Sequence, residues 1–446
     1  MGPRTSSSRS EKPAGRPLRP AGFAILVMGG LIATATPLLP AVAATGSATA
    51  ESVESTAGPQ WVTSDQRAAI RLIALLQSAD LDGLDPNRFD LKSLPRALSA
   101  AANGNLKAVD RANAAFDRAL VDYVTALRSA PSPDWSIVDR AAVPAPPSAS
   151  ALLTEAAAAP SLERWVDAMP FMHHSYSQLR RALVMARARG DESAEALLRI
   201  NLARVRLLPA SGRYVLVNTA AQRLYIYQDG QVVDSMRVVV GKPANPTPMM
   251  AATIKFTALN PYWNVPSDLA AERIAPNVVD DGLGYLAKHR YVVLSDWGQT
   301  PQPVDPSTID WKAVADGTIQ VRVRQLPGPN NSMGRMKFMF PNREGVYLHD
   351  TPDKQLLNEA ARLFSGGCVR LEDAPRLGIW MFGKALNPKA AGPDEKVELP
   401  RPVPVYIAYL TAMPQNGQIA YYDDIYGRDQ AALADQGESQ QKLATF

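Results

Sequence analysis

The sequence predicts an α+β protein in which an α-helical N-terminal half is followed by a β-rich C-terminal half. Between about residues 61 and 207, apolar residues recur at spacings of three and four, as on one face of a helix. From Gly212 onward the apolar period becomes two, which is typical of half-buried strands. A chain of 446 residues is long enough for two or three domains. We therefore expect a helical domain over 61–207 and a β-rich domain over 213–426.

Four segments of the N-terminal half have a helical pattern. The first begins after Trp61, with Thr63 or Ser64 as a capping residue, and a Gly-Leu-Asp-Pro turn at 83–86 ends it. The others are predicted over 106–127, 162–168 and 176–207. Residues 140–160 are rich in alanine and proline and are interpreted as an exposed linker.

Strand-like runs dominate the C-terminal half. An Asp229-Gly230 pair between the alternating runs 224–227 and 232–240 predicts a hairpin. Further strands are predicted over 214–217, 254–258, 291–294, 319–324, 337–340, 346–349 and 403–411. Residues 260–329 are irregular and broken by prolines, and we interpret them as a lid-like insertion, since long loops usually carry function. The polar tail, residues 427–446, is predicted to be disordered.

The N-terminus has the parts of a secretory signal peptide, residues 1–43: a basic stretch, an apolar run over 21–35 and an Ala-Val-Ala triplet at 41–43. The apolar run is shorter than the roughly 20 residues of a membrane span, which favours cleavage over an uncleaved anchor. The signal holds five of the 47 basic and one of the 43 acidic residues, so the formal charge of +4 disappears on cleavage. Nucleic acid is therefore not expected as a partner, and a membrane only if the signal stays. Residues 44–60 are interpreted as a flexible leader.

The only cysteine, Cys368, lies in the segment Ser-Gly-Gly-Cys-Val-Arg at 365–370. One cysteine excludes an intramolecular disulfide framework and a multi-cysteine metal site, and we expect no cofactor. The thiol is interpreted either as a small buried apolar group or as a nucleophile. Its flanks favour the nucleophile, because the N–H groups of Gly367 and Cys368 in such a turn can form an oxyanion hole. Arg370, and a helix predicted over 371–386, are expected to lower the thiol pKa.

A cysteine nucleophile needs a base, and the chain has four histidines. His349 ends a predicted strand 19 residues before Cys368, and the turn after it can return the chain to the cysteine. The neighbouring Asp350 is expected to point to the opposite face, so a backbone carbonyl near 365–367 is expected to orient the ring. His173 and His174 are interpreted as surface or interdomain residues, and the fourth histidine as solvated.

These segments resemble the active-site signature of the L,D-transpeptidases, which have a YkuD-type catalytic domain, and most strongly their YcbB-like branch. The resemblance rests on 347–352 and 365–370, with further blocks at 240–242, 247–248, 260–266, 331–338, 405–411 and 422–426. It covers about 204–426 well and the helical half only through 83–89. Gly366 departs from the family, since many members have His or Ser there. A small peptidoglycan-binding module that is common between the helical and catalytic domains is missing.

The resemblance implies a helical scaffold domain and a β-sandwich-like catalytic domain with a mixed sheet. It also implies a periplasmic enzyme of cell-wall biogenesis, with a possible inner-membrane anchor, that takes peptidoglycan stem peptides as donor and acceptor and is a target of carbapenems. Cys368 would attack the donor tetrapeptide, His349 would act as base and then acid, and the Gly367 backbone would hold the oxyanion. The product would be an L,D cross-link.

Eight residues are predicted to contact the substrate: Arg370, Tyr347, Ser365, Gly366, Trp263, Asn264, Met333 and Arg335. Arg370 suits a carboxylate, although a structural ion pair with Glu372 or Asp373 is an equal alternative. Packing is the alternative for Tyr347 and for the aromatic residues of the insertion.

Two other functions remain open. An L,D-carboxypeptidase of the same fold would release the acyl-enzyme with water instead of an amine. A non-catalytic wall-binding scaffold protein would leave Cys368 without a chemical role. A papain-like protease is disfavoured, because there the cysteine precedes the histidine.

Overall fold

The computed structural model of the chain describes residues 58–130, 134–298 and 300–435. The predicted signal peptide and most of the leader lie outside these described residues, as does the tail from 436 onward. All described residues belong to one compact unit, Thr56–Phe446. No helix within the described ranges is both long and apolar enough to cross a bilayer.

Helices make up most of the described residues before 207. They are α1 (Arg67–Gln77), α2 (Ser93–Ala101), α3 (Leu106–Ser129), α4 (Ala149–Ala157), α5 (Leu162–Ala168), α6 (His174–Ala188) and α7 (Glu192–Val205). Side-chain caps start several of them; Asn105, for example, accepts from the N–H of Ala108 at 3.2 Å. The linker predicted over 140–160 is wrong for 149–157, where Ser148 caps helix α4. Gly190, with φ of +68°, separates α6 from α7 within the segment predicted over 176–207.

Strands dominate the rest of the described chain. They are β1 (Ser136–Ile137), β2 (Arg213–Asn218), β3 (Arg223–Gln228), β4 (Gln231–Gly241), β5 (Met250–Leu259), β6 (Trp263–Asn264), β7 (Tyr291–Leu294), β8 (Pro303–Val304), β9 (Arg322–Gln325), β10 (Met336–Met339), β11 (Leu348–His349), β12 (Leu363–Ser365), β13 (Val369–Leu371), β14 (Glu395–Ala408), β15 (Ala412–Gln415) and β16 (Gln418–Tyr421). The predicted hairpin is present between β3 and β4, where Asp229 and Gly230 both have positive φ.

Ten strands form one mixed sheet in the order β1-β5-β10-β11-β13-β4-β3-β2-β14, with β12 paired to β4. Strand β14 also pairs with β5, so the strand path closes on itself. Strand β11 is antiparallel to β10 and parallel to β13, which places three short strands side by side at the centre of the sheet. The predicted α+β class, with a helical N-terminal region and a mixed sheet after it, is confirmed.

The insertion predicted to be irregular has a fold of its own. It contains the helices α8 (Ser267–Leu269), α9 (Ala275–Asp281), α10 (Gly284–Lys288) and α11 (Trp311–Ala315), with a four-stranded sheet in the order β6-β9-β7-β8. Trp311, Val293 and Val323 are among the apolar residues of its separate core. The prediction of an irregular region is therefore wrong, because prolines here lie at the first or second positions of short elements, such as Pro276 in α9 and Pro303 in β8, where a missing N–H is tolerated. We call residues 260–329 the lid.

The helical region and the sheet share one apolar core, in which His173 packs against Tyr214 and Tyr227 with ring centroids 6.3 and 5.3 Å apart. Residues 427–435 are ordered and do not match the predicted disordered tail. The physical reason is a buried ion pair: the Arg204 guanidinium at the end of α7 lies 2.5 Å from the Asp429 carboxylate. A polar side chain that finds a charged partner can be buried despite its composition.

Candidate active site

Cys368 lies in a tight loop between β12 and β13, and the loop is held by side-chain hydroxyls. The Ser365 hydroxyl donates to the carbonyl of Cys368 at 2.5 Å and accepts from the N–H of Gly367 at 3.1 Å. The Thr247 hydroxyl donates to the carbonyl of Gly367 at 2.8 Å and accepts from the N–H of Gly241 at 2.9 Å. Because the N–H of Gly367 is already used by Ser365, the prediction that it faces an oxyanion does not match this arrangement. Ser365 shapes the loop from a buried position.

The strand register brings Cys368 and His349 to one face of the sheet. Leu348 pairs with Val369 and His349 with Arg370 across β11 and β13, and the N–H of Val369 donates to the carbonyl of Tyr347 at 3.0 Å. Residues paired in register point to the same face, and so do residues two apart on one strand. Cys368 and Arg370 therefore share a face with His349 and with Tyr347.

The residue Cys368 is partly exposed, and the protein around its thiol raises the pKa of that thiol by desolvation. Its sulfur lies 3.6 Å from the carbonyl oxygen of Gly345. A hydrogen bond from the Tyr347 backbone and the charges of Lys337 and Arg370 act in the opposite direction. The expected lowering of the pKa by a helix is wrong: Cys368 is followed by β13, and the helix α12 (Ala374–Phe382) begins too late to act on the sulfur.

His349 is buried and held as a neutral base. Its Nδ1 lies 2.6 Å from the carbonyl oxygen of Asp350, and a carbonyl only accepts, so Nδ1 carries the proton and Nε2 has the free lone pair. Burial first, and then the charge of Arg370, lowers the pKa of His349 to about 3. The orienting carbonyl is thus that of Asp350, and the prediction that it comes from 365–367 is wrong. The carbonyl of Asp350 belongs to the next residue along the chain, so a local turn is enough to bring it to the ring of His349.

The carboxylate of Asp350 points away from the imidazole. It accepts from the N–H of Arg335 at 3.0 Å and from the Lys354 ammonium at 2.8 Å. Gly334 approaches it so closely that an added Cβ would lie 2.5 Å from the Asp350 side chain. Asp350 therefore joins the segment before β10 to the segment after β11.

Arg370 is paired with a carboxylate other than the two considered from the sequence. Its guanidinium lies 3.3 Å from the carboxylate of Asp353, and only 12% of its side chain is exposed. Glu372 instead binds Arg237 at 2.5 Å, and Asp373 caps α12 by accepting from the N–H of Arg376. Although Arg370 is paired with Asp353, its charge still lowers the pKa of both Cys368 and His349.

The remaining predicted contact residues lie in other surroundings. Trp263 and Asn264 form strand β6 of the lid, where Trp263 lies near the ring of Tyr291 at 6.4 Å and Asn264 accepts from Arg324 at 2.7 Å. Met333 is buried and Arg335 is exposed. The structure therefore brings Tyr347 and Arg370 to Cys368. Trp263, Asn264, Met333 and Arg335 instead have packing or hydrogen-bonding contacts elsewhere.

The lid meets the loop of Cys368 at Gly366. A Cβ added to Gly366 would lie 3.2 Å from a methyl group of Leu269 in α8, which is closer than ordinary contact. A second contact is the ion pair between Lys242 and Glu272, at 2.6 Å. A larger residue at 366 would therefore press on the Leu269 side chain, which would have to give by a few tenths of an ångström.

Two residues of the site were missed by the sequence reasoning. Thr247 and Lys337 lie within blocks that resemble the family, and Lys337 also begins a predicted strand, but neither is predicted as a site residue. Lys337 pairs with His349 across β10 and β11, and its ammonium lies 3.9 Å from the ring centroid of Tyr347. Nothing in the local sequence says which strand neighbours which, so neither residue could be placed before the sheet was known.

Two family models match the chain. Residues 212–384 match the L,D-transpeptidase catalytic domain of the YkuD type, and residues 55–183 match a scaffold domain. Residues 212–384 are therefore similar to an L,D-transpeptidase catalytic domain and follow a segment that is similar to a scaffold domain, as the resemblance implies. Its YcbB-like branch stays a prediction.

A Haemophilus influenzae protein named "Putative L,D-transpeptidase" is 32% identical over 273 residues, which are 59% of this chain and 55% of that protein. The chain thus spans about half the length of this curated relative. Among solved structures, an L,D-transpeptidase from Mycobacterium smegmatis is 18% identical, with a TM-score of 0.21 over 44% of this chain and 58% of that one. The catalytic domain of the E. faecium L,D-transpeptidase is also 18% identical, with a TM-score of 0.19 over 44% and 97%. The similarity to L,D-transpeptidases rests on the sequence matches.

Proposed function

We propose that this protein is an exported peptidoglycan L,D-transpeptidase that forms L,D cross-links through a thioacyl-enzyme on Cys368. One observation carries the proposal. A partly exposed cysteine and a neutral histidine, whose Nε2 is free, share one sheet face inside a region similar to the YkuD-type domain. A non-catalytic role would not require a base of this kind beside the only thiol of the chain.

The first half-reaction acylates the enzyme. The Nε2 of His349 takes the thiol proton while the sulfur attacks the carbonyl carbon of diaminopimelate in the donor tetrapeptide. The C–N bond then breaks, and His349 returns the proton to the amine of the departing D-alanine. The N–H of Cys368 is the proposed oxyanion donor, because that of Gly367 already binds Ser365.

The pKa directions at the site define when the proton moves. The protein raises the pKa of the thiol and lowers that of His349 to about 3, so the resting pair is a neutral thiol and a neutral imidazole. Proton transfer therefore accompanies attack on the carbonyl and does not precede it. We expect slow alkylation of Cys368 by iodoacetamide at pH 7 compared with free cysteine, while specific acylation stays fast.

The second half-reaction releases the acyl group from Cys368. Attack by the side-chain amine of a second stem peptide gives the cross-link, whereas attack by water gives a carboxypeptidase. Both routes pass through one thioester, so the two activities differ only in which nucleophile reaches it.

Intact-mass spectrometry with a carbapenem tests the acyl-enzyme. The wild type should gain the mass of one inhibitor, and Cys368→Ala should gain none. Purified disaccharide tetrapeptide then separates the two outcomes: cross-linked dimers support the transpeptidase, and tripeptide monomers alone support the carboxypeptidase. No adduct together with no product would overturn the proposal in favour of a wall-binding scaffold.

Export to the periplasm is part of the proposal and rests on the sequence of residues 1–43. Fractionation of cells that express the full chain should give a periplasmic protein shortened by about 43 residues. A full-length protein in the membrane fraction would indicate an uncleaved anchor instead.

A further inference from the structure

Lys337 is a cation beside the nucleophile without an anionic partner. It lies on β10, where its register partner His349 places its side chain on the face of Cys368. Its ammonium lies 3.9 Å from the ring centroid of Tyr347, and it is close enough to lower the pKa of the Cys368 thiol. Among the described residues, no carboxylate lies within 4.0 Å of this ammonium.

Three neighbouring cations are paired with carboxylates. Arg370 pairs with Asp353 at 3.3 Å, Lys354 with Asp350 at 2.8 Å and Lys242 with Glu272 at 2.6 Å. Lys337 differs from these three cations because burial lowers its pKa. The charge of Asp394 offsets only part of that lowering. A partly desolvated ammonium held by an aromatic ring alone is stabilised when an anion binds to it.

The reaction itself brings such an anion to this place. The donor is cut one residue before its C-terminus, so the leaving residue ends in a free carboxylate. Three covalent bonds separate that carboxylate carbon from the carbonyl carbon under attack, a distance of about 3–4 Å. When the Cys368 sulfur touches the carbonyl, the carboxylate must therefore lie within a few ångströms of the sulfur, which is the region where the charge of Lys337 acts.

We propose that Lys337 binds the terminal carboxylate of the leaving residue and thereby restricts the enzyme to donors cut one residue from a free C-terminus. The proposal rests on the proposed function. Lysine suits this role because it is a compact point charge on a flexible stem, whereas Arg370 is committed to Asp353. After C–N cleavage the same ammonium is left holding free D-alanine, so product release includes breaking this ion pair.

The test compares two donors that differ only at the C-terminus. One is the disaccharide tetrapeptide with a free carboxylate, and the other is its C-terminal amide. Wild-type protein should acylate the acid about 10–100 times faster than the amide, as expected for loss of one charge-assisted hydrogen bond. In Lys337→Gln, kcat/KM for the acid should fall to near that for the amide. Lys337→Arg should keep part of the preference.

Lys396 provides a matched control on the same sheet face. It pairs with Ala258, as Lys337 does from the other side, and its ammonium lies 4.4 Å from the ring centroid of Phe256. Unlike Lys337, it has a carboxylate partner, Glu398, at 2.6 Å. Lys396→Gln should therefore leave the ratio of acid to amide unchanged.

The outcomes separate this inference from the function on which it rests. Equal turnover of acid and amide by the wild type would overturn the inference without any variant, even if Lys337→Gln did not fold. A fall in both rates by the same factor in Lys337→Gln, with slower alkylation of Cys368, would also overturn it and would make Lys337 a residue that tunes the thiol. Absence of any turnover or carbapenem adduct in the wild type would instead defeat the proposed function.

Discussion

Replacing Thr247 by valine removes one hydroxyl at the point where two loops of the site meet. The Thr247 side chain is fully buried, and its hydroxyl bonds the N–H of Gly241 and the carbonyl of Gly367 at 2.9 and 2.8 Å. Valine has nearly the same volume but leaves one donor and one acceptor without a partner. Each unsatisfied buried group costs about 1–3 kcal/mol, and burial of the new methyl group returns about 0.8 kcal/mol. We expect the free energy of unfolding to fall by about 1–5 kcal/mol.

The same change should slow acylation of the folded protein. Gly367 precedes the nucleophile, so a loop that moves by about 1 Å misplaces the sulfur relative to His349, and such a displacement costs up to about 100-fold in rate. Urea unfolding measures the stability, and time-resolved mass spectrometry with a carbapenem measures acylation of the protein that remains folded.

Thr411→Val is the matched control for Thr247→Val. The Thr411 hydroxyl is also buried; it donates to Asp429 at 2.5 Å and accepts from Asn201 at 2.9 Å, in a different part of the structure. This variant should lose comparable stability and acylate at the wild-type rate. If Thr247→Val also acylates at the wild-type rate, the argument that its hydroxyl positions the nucleophile is wrong.

Three further predictions follow from burial and close contact. Gly241→Ala should abolish soluble folded protein in a thermal-shift assay, because its Cβ would lie 2.1 Å from a backbone oxygen. Gly284→Ala is the control: the space around Gly284 is open, so this variant should raise Tm slightly. A stable Gly241→Ala protein would contradict the geometry. The pKa of His349 is lowered to about 3 in the folded protein, so the unfolded chain binds the proton more strongly between pH 6.5 and 3, and stability falls as pH falls through this window. In urea titrations, the loss of stability between pH 7 and 5 should be about 2 kcal/mol smaller for His349→Gln than for the wild type. An unchanged pH dependence would refute the assignment. Asp429→Asn should lower the free energy of unfolding by up to about 3–5 kcal/mol, because it removes the carboxylate 2.5 Å from the buried Arg204 guanidinium and leaves only the Asp134 carboxylate, at 3.8 Å. A neutral result would show that the pair is not essential to the junction.

The order of helices and strands could be predicted because it depends on local periodicity. The hairpin at Asp229 and Gly230 illustrates this, since both residues of its turn need positive φ and the sequence supplies residues that tolerate it. The lid and the segment 427–435 were predicted poorly for the opposite reason. The lid is folded because it has an apolar core of its own. The segment 427–435 is held by a buried ion pair between Arg204 and Asp429, which are distant in sequence.

In the candidate site, too, features that depend on adjacent residues were predicted better than features that depend on distant ones. Cys368 and His349 were predicted as a pair because each lies in a short segment with a recognisable composition. The net direction of the thiol pKa was predicted wrongly, since the helix after Cys368 begins only at Ala374 and burial outweighs the lowering by Arg370. The partner of Arg370 also depends on how the turn after β11 folds back, which no neighbouring residue reveals.

The sequence by itself determined the α+β organisation, the resemblance to L,D-transpeptidases and the two residues proposed to carry the chemistry, because periodicity and short motifs are properties of adjacent residues. Only the tertiary structure decided what surrounds those two residues. The order β10-β11-β13 sets Lys337 beside His349, the turn after β11 leaves Nε2 as the free nitrogen, and the lid lies beside Gly366. Hydrogen-bonded strand pairing and burial join residues that are far apart in sequence, and these contacts set charge, protonation and access at Cys368.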